Sequence, residues 1–415
     1  MDRNIAEHGF DPDKLGAVAP VLQGVVDAGD LSGMVTLVWR DGEIVQINTI
    51  GKRDLESGKP MERDTLFRIM SMTKPVTSVA ALMLMEEGKL TLGDPITKWM
   101  PEFSNMRVLR KPNGPVDETD PSPRDITVED LFTHRSGLAY GFTSSGPIAK
   151  AHDTALGSPF ENVYAPDEWL KRLGQLPLTF VPGTQFHYSH ATDVLGFLVG
   201  RVAGMSFRDF LMQRIFGPLG MTDTDFYIPP SKRDREASVY QQDQQTGALK
   251  RFAMKEYDEP PAYTGGGGGL ISTVDDYLQF ARMLLNGGEL NGTRYLKPET
   301  VALMRQNRLT EPQREVPFLG LPYWMSMGFG LGLSVVLDAQ KHDWIGAASN
   351  GTFSWPGAFG TWWQADPEKN TILIFLIQNY TPLTPDMAGQ AVTGARMGAR
   401  LACPMFQKAV YGALA

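Results

Sequence analysis

The sequence predicts an α/β (α+β) fold whose β-structure comes from the two ends of the chain, with a mostly helical region inserted between them. Three patterns carry that expectation. A hairpin signal lies near the N-terminus, helical patterns separated by Gly/Pro turns run from about 126 to 225, and the last third returns to short β runs closed by a helix. At about 150 residues per domain, 415 residues are more than one core usually serves. The expected division is a discontinuous region of 1–93 with 263–415, and a second region of 94–262.

Residues 11–28 read as the first helix. Two β-rich runs follow, 33–40 and 43–50, joined by the turn pair Asp41-Gly42. After Pro75 the residues Val76, Val79, Leu82 and Leu84, with intervening Ala and Met, are apolar nearly all round, which predicts a buried helix rather than a one-faced surface helix. The tract 111–125, KPNGPVDETDPSPRD, reads as an exposed excursion without a regular element. Helical patterns then fall at 128–132, 168–173, 192–202 and 207–215. Five consecutive glycines at 265–269 lead at once into Leu270-Ile271 and a helix that Ser272 or Thr273 would cap and Gly287 would end. So little slack remains that the glycines predict a close approach of backbone to a neighbour, not a linker. Short β runs at 328–337, 360–364 and 371–378 and a helix over 385–411 complete the chain. No repeat of fixed period appears.

Composition narrows the function classes. Hydrophobic residues make up 42% and charged residues 21%, an ordinary globular balance. The formal net charge of −8 repels phosphate and anionic lipid, so nucleic acid is not an expected partner. A single cysteine, Cys403, allows no internal disulfide and fits a reducing compartment. The opening residues MDRNIAEHGFDPDKL lack the cationic end and apolar run of a secretory signal, and the longest aliphatic block, 372–377, is far too short to span a membrane. A cytoplasmic protein with no membrane partner is expected, and nothing in the pattern sets an oligomeric state.

The strongest chemical feature is Ser71-Met72-Thr73-Lys74, the one S-x-x-K in the chain, at the entrance to the buried helix. Three residues apart on a helix share a face, so the lysine can reach the serine hydroxyl where free N–H groups favour negative charge. Pro75 has no N–H to bond the carbonyl of Ser71, which makes the turn locally special. Taken alone, the tetrapeptide reads equally as a helix cap followed by a first-turn lysine.

Its company makes it specific. Blocks at 66–103 (LFRIMSMTKPVTSVAALMLMEEGKLTLGDPITKWMPEF), 126–138, 182–204 (PGTQFHYSHATDVLGFLVGRVAG), 216–226, 266–288 and 355–367 (WPGAFGTWWQADP) resemble the serine β-lactamase and penicillin-binding-protein superfamily, on the branch of class C β-lactamases and family VIII carboxylesterases. The resemblance implies a serine β-lactamase-like fold, an antiparallel sheet flanked by helices plus the helical insertion, and a metal- and cofactor-free hydrolase. It makes Ser71 the nucleophile and Tyr188, in Tyr188-Ser189-His190, the general base acting with Lys74. Trp355-Pro356-Gly357 stands where lactamases carry Lys-Thr-Gly and resembles the Trp-x-Gly of the esterases. An indole in place of an ammonium cannot hold a substrate carboxylate, which moves selection toward neutral, apolar acyl groups. By the same resemblance the N–H groups of Ser71 and Ala358 form the oxyanion hole, while Trp355, Gly357 and His190 meet the substrate.

Other candidates weigh less. His187 and His190 lack a third ligand of suitable spacing, so no metal site is expected. His134-Arg135-Ser136-Gly137 is not a G-x-S-x-G elbow, and Ser136 reads as structural. His342-Asp343, read on a strand, would point to opposite faces. Tyr323, Trp324, Met325, Met327, Phe329, Trp362 and Trp363 fit either an apolar acyl site or core packing. The combined expectation is a serine carboxylesterase for short- to medium-chain esters, with weak cephalosporin hydrolysis. The rival readings are an acyltransferase on the same acyl-enzyme, a β-lactamase or D-Ala-D-Ala peptidase, and a non-catalytic binding protein on the same fold.

Overall fold

A computed structural model describes residues 2–158, 160, 163–243, 245–384 and 398–415. Helix α1 (Val18–Asp27) leads to the hairpin β1 (Gly33–Arg40) and β2 (Glu43–Gly51). Helix α2 (Thr73–Glu86), α3 (Pro147–Leu156) and α4 (Ala191–Ala203) follow, then α5 (Val274–Leu285). The remaining strands of the main sheet are β3 (Met327–Phe329), β4 (Ser334–Val336), β5 (Phe353–Ser354), β6 (Trp362–Asp366) and β7 (Thr371–Leu376), and α6 (Gly398–Gly412) ends the chain. Together the strands form one antiparallel sheet in the order β3-β4-β5-β6-β7-β1-β2.

Pairing of β1 with β7, Leu37 opposite Ile374, closes the two ends of the chain into one sheet. Alternation along these strands sorts the core into two layers. Met34, Val38, Leu373 and Phe375 pack with α1 and α6, whereas Val35, Leu37, Ile372 and Ile374 belong to a cluster that runs through α2 and α5 into Trp169, Leu195 and Phe210. Helix α2 is buried almost throughout, from Thr73 to Leu84, as its all-round apolar pattern requires. Among the described residues no helix is long and apolar enough to cross a membrane.

Several expected elements differ in detail. The first helix is two, Pro12–Gly16 and Val18–Asp27, meeting at Ala17. Within 111–125, Thr119–Pro121 pairs antiparallel with Arg107–Leu109, because backbone pairing overrides the proline-rich composition at its edge. The run 328–337 is a hairpin: β3 and β4 are joined by a turn in which Gly330 donates to the Leu333 carbonyl at 2.8 Å. The helix at 207 stays α-helical only over Phe207–Leu211 and then widens into a π-helical turn over Met212–Phe216. Of the last helix, the stretch 385–397 lies outside the described residues.

The glycine run is a packed element. Thr77 Oγ1 donates to Gly266 O at 2.7 Å, Lys74 Nζ donates to Gly267 O at 2.6 Å, and Gly267 N donates to Asp193 Oδ1 at 2.8 Å. A Cβ on Gly266 would lie 2.6 Å from the Thr192 carbonyl, and one on Gly267 would lie 2.7 Å from the Tyr140 hydroxyl and 2.8 Å from Asp193 Oδ1. On Gly268 it would meet nothing closer than 3.7 Å. Thr273, whose Oγ1 accepts from Asp276 N at 3.2 Å, then caps α5.

Overpacking makes Gly267→Ala lose about 1–3 kcal/mol of unfolding free energy, while Gly268→Ala stays within about 0.5 kcal/mol of the parent. Urea denaturation of the pair checks this, and equal losses at both positions would contradict it.

Candidate active site

Ser71 is positioned from both sides of its turn. The short strand Phe67–Arg68 pairs with Ile271–Ser272, anchoring the approach, and Met70 then takes a left-handed conformation, φ 49°, before the turn Met70–Met72 runs into α2. A non-glycine residue in that region is strained by about 1–3 kcal/mol, and here it sets the direction of the next side chain. One helical turn on, Lys74 is fully buried, and its Nζ donates to Ser71 Oγ at 3.2 Å. The same ammonium reaches Gly267 O at 2.6 Å and Tyr140 OH at 3.4 Å.

Tyr188 arrives from a loop that enters α4. Its hydroxyl lies 2.7 Å from Ser71 Oγ, and Lys74 Nζ sits 4.5 Å from the centre of its ring. Tyr188, distant in sequence from Ser71 and Lys74, therefore shares one contact network with them. His134 packs against the Tyr188 ring at 4.8 Å, between Ser189 Oγ and Thr192 Oγ1, each 3.3 Å away. Burial, and after it the Lys74 charge, pushes the His134 imidazole well below its ordinary pKa, so it packs there as a neutral ring.

Trp355 is buried among Tyr188, Phe329, Tyr323 and Phe318, and its Nε1 donates to Tyr188 OH at 3.2 Å. Just beyond β5, its polar edge is satisfied by the phenol. Gly357 packs against the segment that leads to Ser71. A Cβ there would come within 2.0 Å of Thr361 Oγ1 and 2.4 Å of the Ile69 carbonyl, so glycine lets this backbone lie directly against the segment that carries Ser71. Gly357 N donates to Thr361 O at 2.8 Å, and the next residue, Ala358, lines the cavity with Ser71. Among the described residues none accepts from the Ala358 N–H.

The cavity has a volume of about 500 Å³. Aromatic and aliphatic side chains such as Phe142, Leu156, Phe160 and Phe226 form most of its wall. His190 lines it and contacts Asp193 Oδ2 through Nδ1 at 2.9 Å, while His187 turns away to Thr143 and Ser144. Asp193 and Tyr140 complete the polar side, and sequence reasoning missed both. Burial pushes the Asp193 carboxyl upward, yet the His190 hydrogen bond, the Lys74 charge and the Gly267 N–H outweigh it and hold the group below the usual carboxylate range. Burial and then the Asp193 charge push the Tyr140 phenol well above its ordinary value. The spacing of His190 and Asp193 at the start of a helical pattern was a usable signal for the aspartate; Tyr140 had none.

The remaining candidates fall elsewhere. Tyr323, Trp324, Met327 and Phe329 are core residues around Trp355, Trp362 and Trp363 pack in the sheet layers, and Met325 is exposed. Ser136 is buried and accepts from Leu138 N. His342 bonds with Ser326 while Asp343 pairs with Lys408 at the surface, and the two follow a helical turn, not a strand. Among the described residues no group of three or more His, Cys, Asp or Glu could hold a metal ion.

The β-lactamase family model matches residues 18–393. Protein Rv1367c of Mycobacterium tuberculosis is 49% identical over 396 residues, covering 95% of this chain and 97% of its own. Esterase EstB of Burkholderia gladioli is 33% identical over 357 residues, 81% of this chain and 83% of its own. Among solved structures, EstCE1, described as a hydrolase with promiscuous acyltransferase activity, superposes with a TM-score of 0.78 at 27% identity and 99% coverage of each chain. With its match spanning most of the sequence and its relatives among esterases, the chain belongs to the β-lactamase family, on the side that resembles the family VIII carboxylesterases.

Proposed function

We propose that this protein is a serine carboxylesterase that hydrolyses short- to medium-chain carboxylic esters through an acyl-enzyme on Ser71. The observation that carries the reading is Ser71 Oγ held 2.7 Å from Tyr188 OH and 3.2 Å from Lys74 Nζ. Tyr188, acting as its phenolate, takes the serine proton as Oγ attacks the ester carbonyl, which leaves it a neutral phenol. Negative charge on the phenolic oxygen is opposed by the Lys74 ammonium and the Trp355 N–H. The carbonyl oxygen, now an oxyanion, rests on the N–H groups of Ser71 and Ala358. Tyr188 returns the proton to the departing alcohol, and water repeats the sequence to free the acid. The substrate is a small neutral ester, and the lone Cys403 fits a reducing, cytoplasmic setting.

One observation favours a second reading, transfer of the acyl group to an alcohol in place of water: EstCE1 is described as having promiscuous acyltransferase activity. Product analysis with added alcohols separates the two. With no lysine at 355 to hold its carboxylate, a β-lactam lacks an ionic anchor there, so cephalosporin turnover is expected to be slow.

On nitrophenyl esters of increasing acyl length, Ser71→Ala loses turnover while its circular dichroism and thermal midpoint stay those of the parent. Retention of most turnover would reject the assignment. Lys74→Ala and Tyr188→Phe each lower kcat by about a hundred- to ten-thousand-fold, and Trp355→Phe lowers it by about tenfold through the lost hydrogen bond. Steady-state kinetics on the same esters measures all three.

A further inference from the structure

The cavity beside Ser71 contains polar atoms that the proposed chemistry leaves unused. His152, on α3, is 2% exposed, and neither Nδ1 nor Nε2 has a hydrogen-bond partner among the described residues. Trp169 is fully buried, and its Nε1 is likewise unpartnered. Both residues line the cavity, and both pack on the His190 ring, His152 stacked at 6.1 Å and Trp169 edge-on at 5.1 Å. Three orphaned nitrogens thus belong to two residues that line an otherwise mostly apolar site and pack on one ring. Buried polar atoms are nearly always paired, and an unpaired cluster in a binding cavity marks where a ligand supplies the partner.

The geometry assigns these two residues to the acyl group. In the tetrahedral intermediate the alcohol oxygen faces Tyr188, which takes no part in the cavity lining, and the oxyanion faces Ala358, which does. The remaining substituent on the reacting carbon, the acyl chain, enters the cavity.

We propose that His152 and Trp169 are specificity-determining residues that select esters whose acyl chain carries a neutral oxygen, a hydroxyl or a ketone, over plain alkanoyl esters. The indole N–H can only donate, so the group it meets must accept, which excludes an ammonium. Asp153 and Asp193 line the same cavity and repel a carboxylate. Burial, followed by the neighbouring His190 and His187, pushes the His152 imidazole down to about 3, so at neutral pH it offers one donor and one acceptor, as a hydroxyl requires. The proposal rests on Ser71 being the esterase nucleophile.

The test compares kcat/KM for nitrophenyl hexanoate with a series in which one chain methylene becomes a carbonyl or bears a hydroxyl, the position moved along the chain. For the parent protein at least one oxygenated isomer is preferred by about tenfold or more. His152→Leu and Trp169→Phe each bring that ratio to about one or below. Because His152→Leu removes two orphaned nitrogens from the interior, its thermal midpoint holds or rises, where loss of a merely structural histidine would lower it. Equal rates on all esters for the parent would overturn the inference, as would a preference that survives both substitutions. Hexanoate hydrolysis that is absent, or that persists in Ser71→Ala, would instead overturn the esterase reading.

Discussion

A fully buried ammonium is the constraint on which the site depends. Lys74 donates to Ser71, Tyr140 and the Gly267 carbonyl, none of which carries a full charge in the resting state. An isolated cation in such surroundings is costly, and a protein keeps one only where other groups compensate it. Gly267 provides the link: its carbonyl accepts from Lys74 while its N–H donates to the buried Asp193 carboxylate. Cation and anion are thus held apart by one residue of backbone. That separation leaves the ammonium directed at the serine hydroxyl instead of quenched by a direct ion pair.

Much of the surrounding structure follows from accommodating that arrangement. The glycines at 266 and 267 are there because a Cβ would strike Thr192, Tyr140 or Asp193. The all-round apolar α2 carries that lysine into the core. Met70 accepts a strained backbone so that Ser71 faces the phenol, and Gly357 brings the Ala358 segment against the same turn. Local strain and close backbone approach at a site of chemistry are sustained by packing elsewhere, here the apolar layers on both faces of the sheet.

What the sequence disclosed depended on how far apart the cooperating residues lie. Ser71 and Lys74 are legible because three positions on a helix place two side chains together, and the hairpin at 33–50 is legible because alternation and an Asp-Gly turn are local signals. Tyr188 and Ala358 needed the longer blocks of family resemblance. Tyr140, His152 and Trp169 join Asp193 only when α3, α4, the helix Pro166–Gly174 and the glycine run pack, and no spacing encodes that. The aromatic set around 323–329 was legible as large and apolar, but its partner, the buried face of Trp355, was not, so core and pocket could not be told apart. The pairing of Thr119–Pro121 escaped for a related reason: composition reports solvent preference, whereas a two-strand contact is decided by the neighbour.

The central claim is that Lys74 and Tyr188 make the Ser71 oxygen nucleophilic. Covalent capture by a fluorophosphonate reads this without reference to any ester, by intact mass and peptide mapping. The account predicts one adduct, on the peptide containing Ser71, forming at least about a hundredfold more slowly once Lys74 is replaced by Met or Tyr188 by Phe. An adduct on another serine, or equal labelling rates in all three proteins, would contradict it.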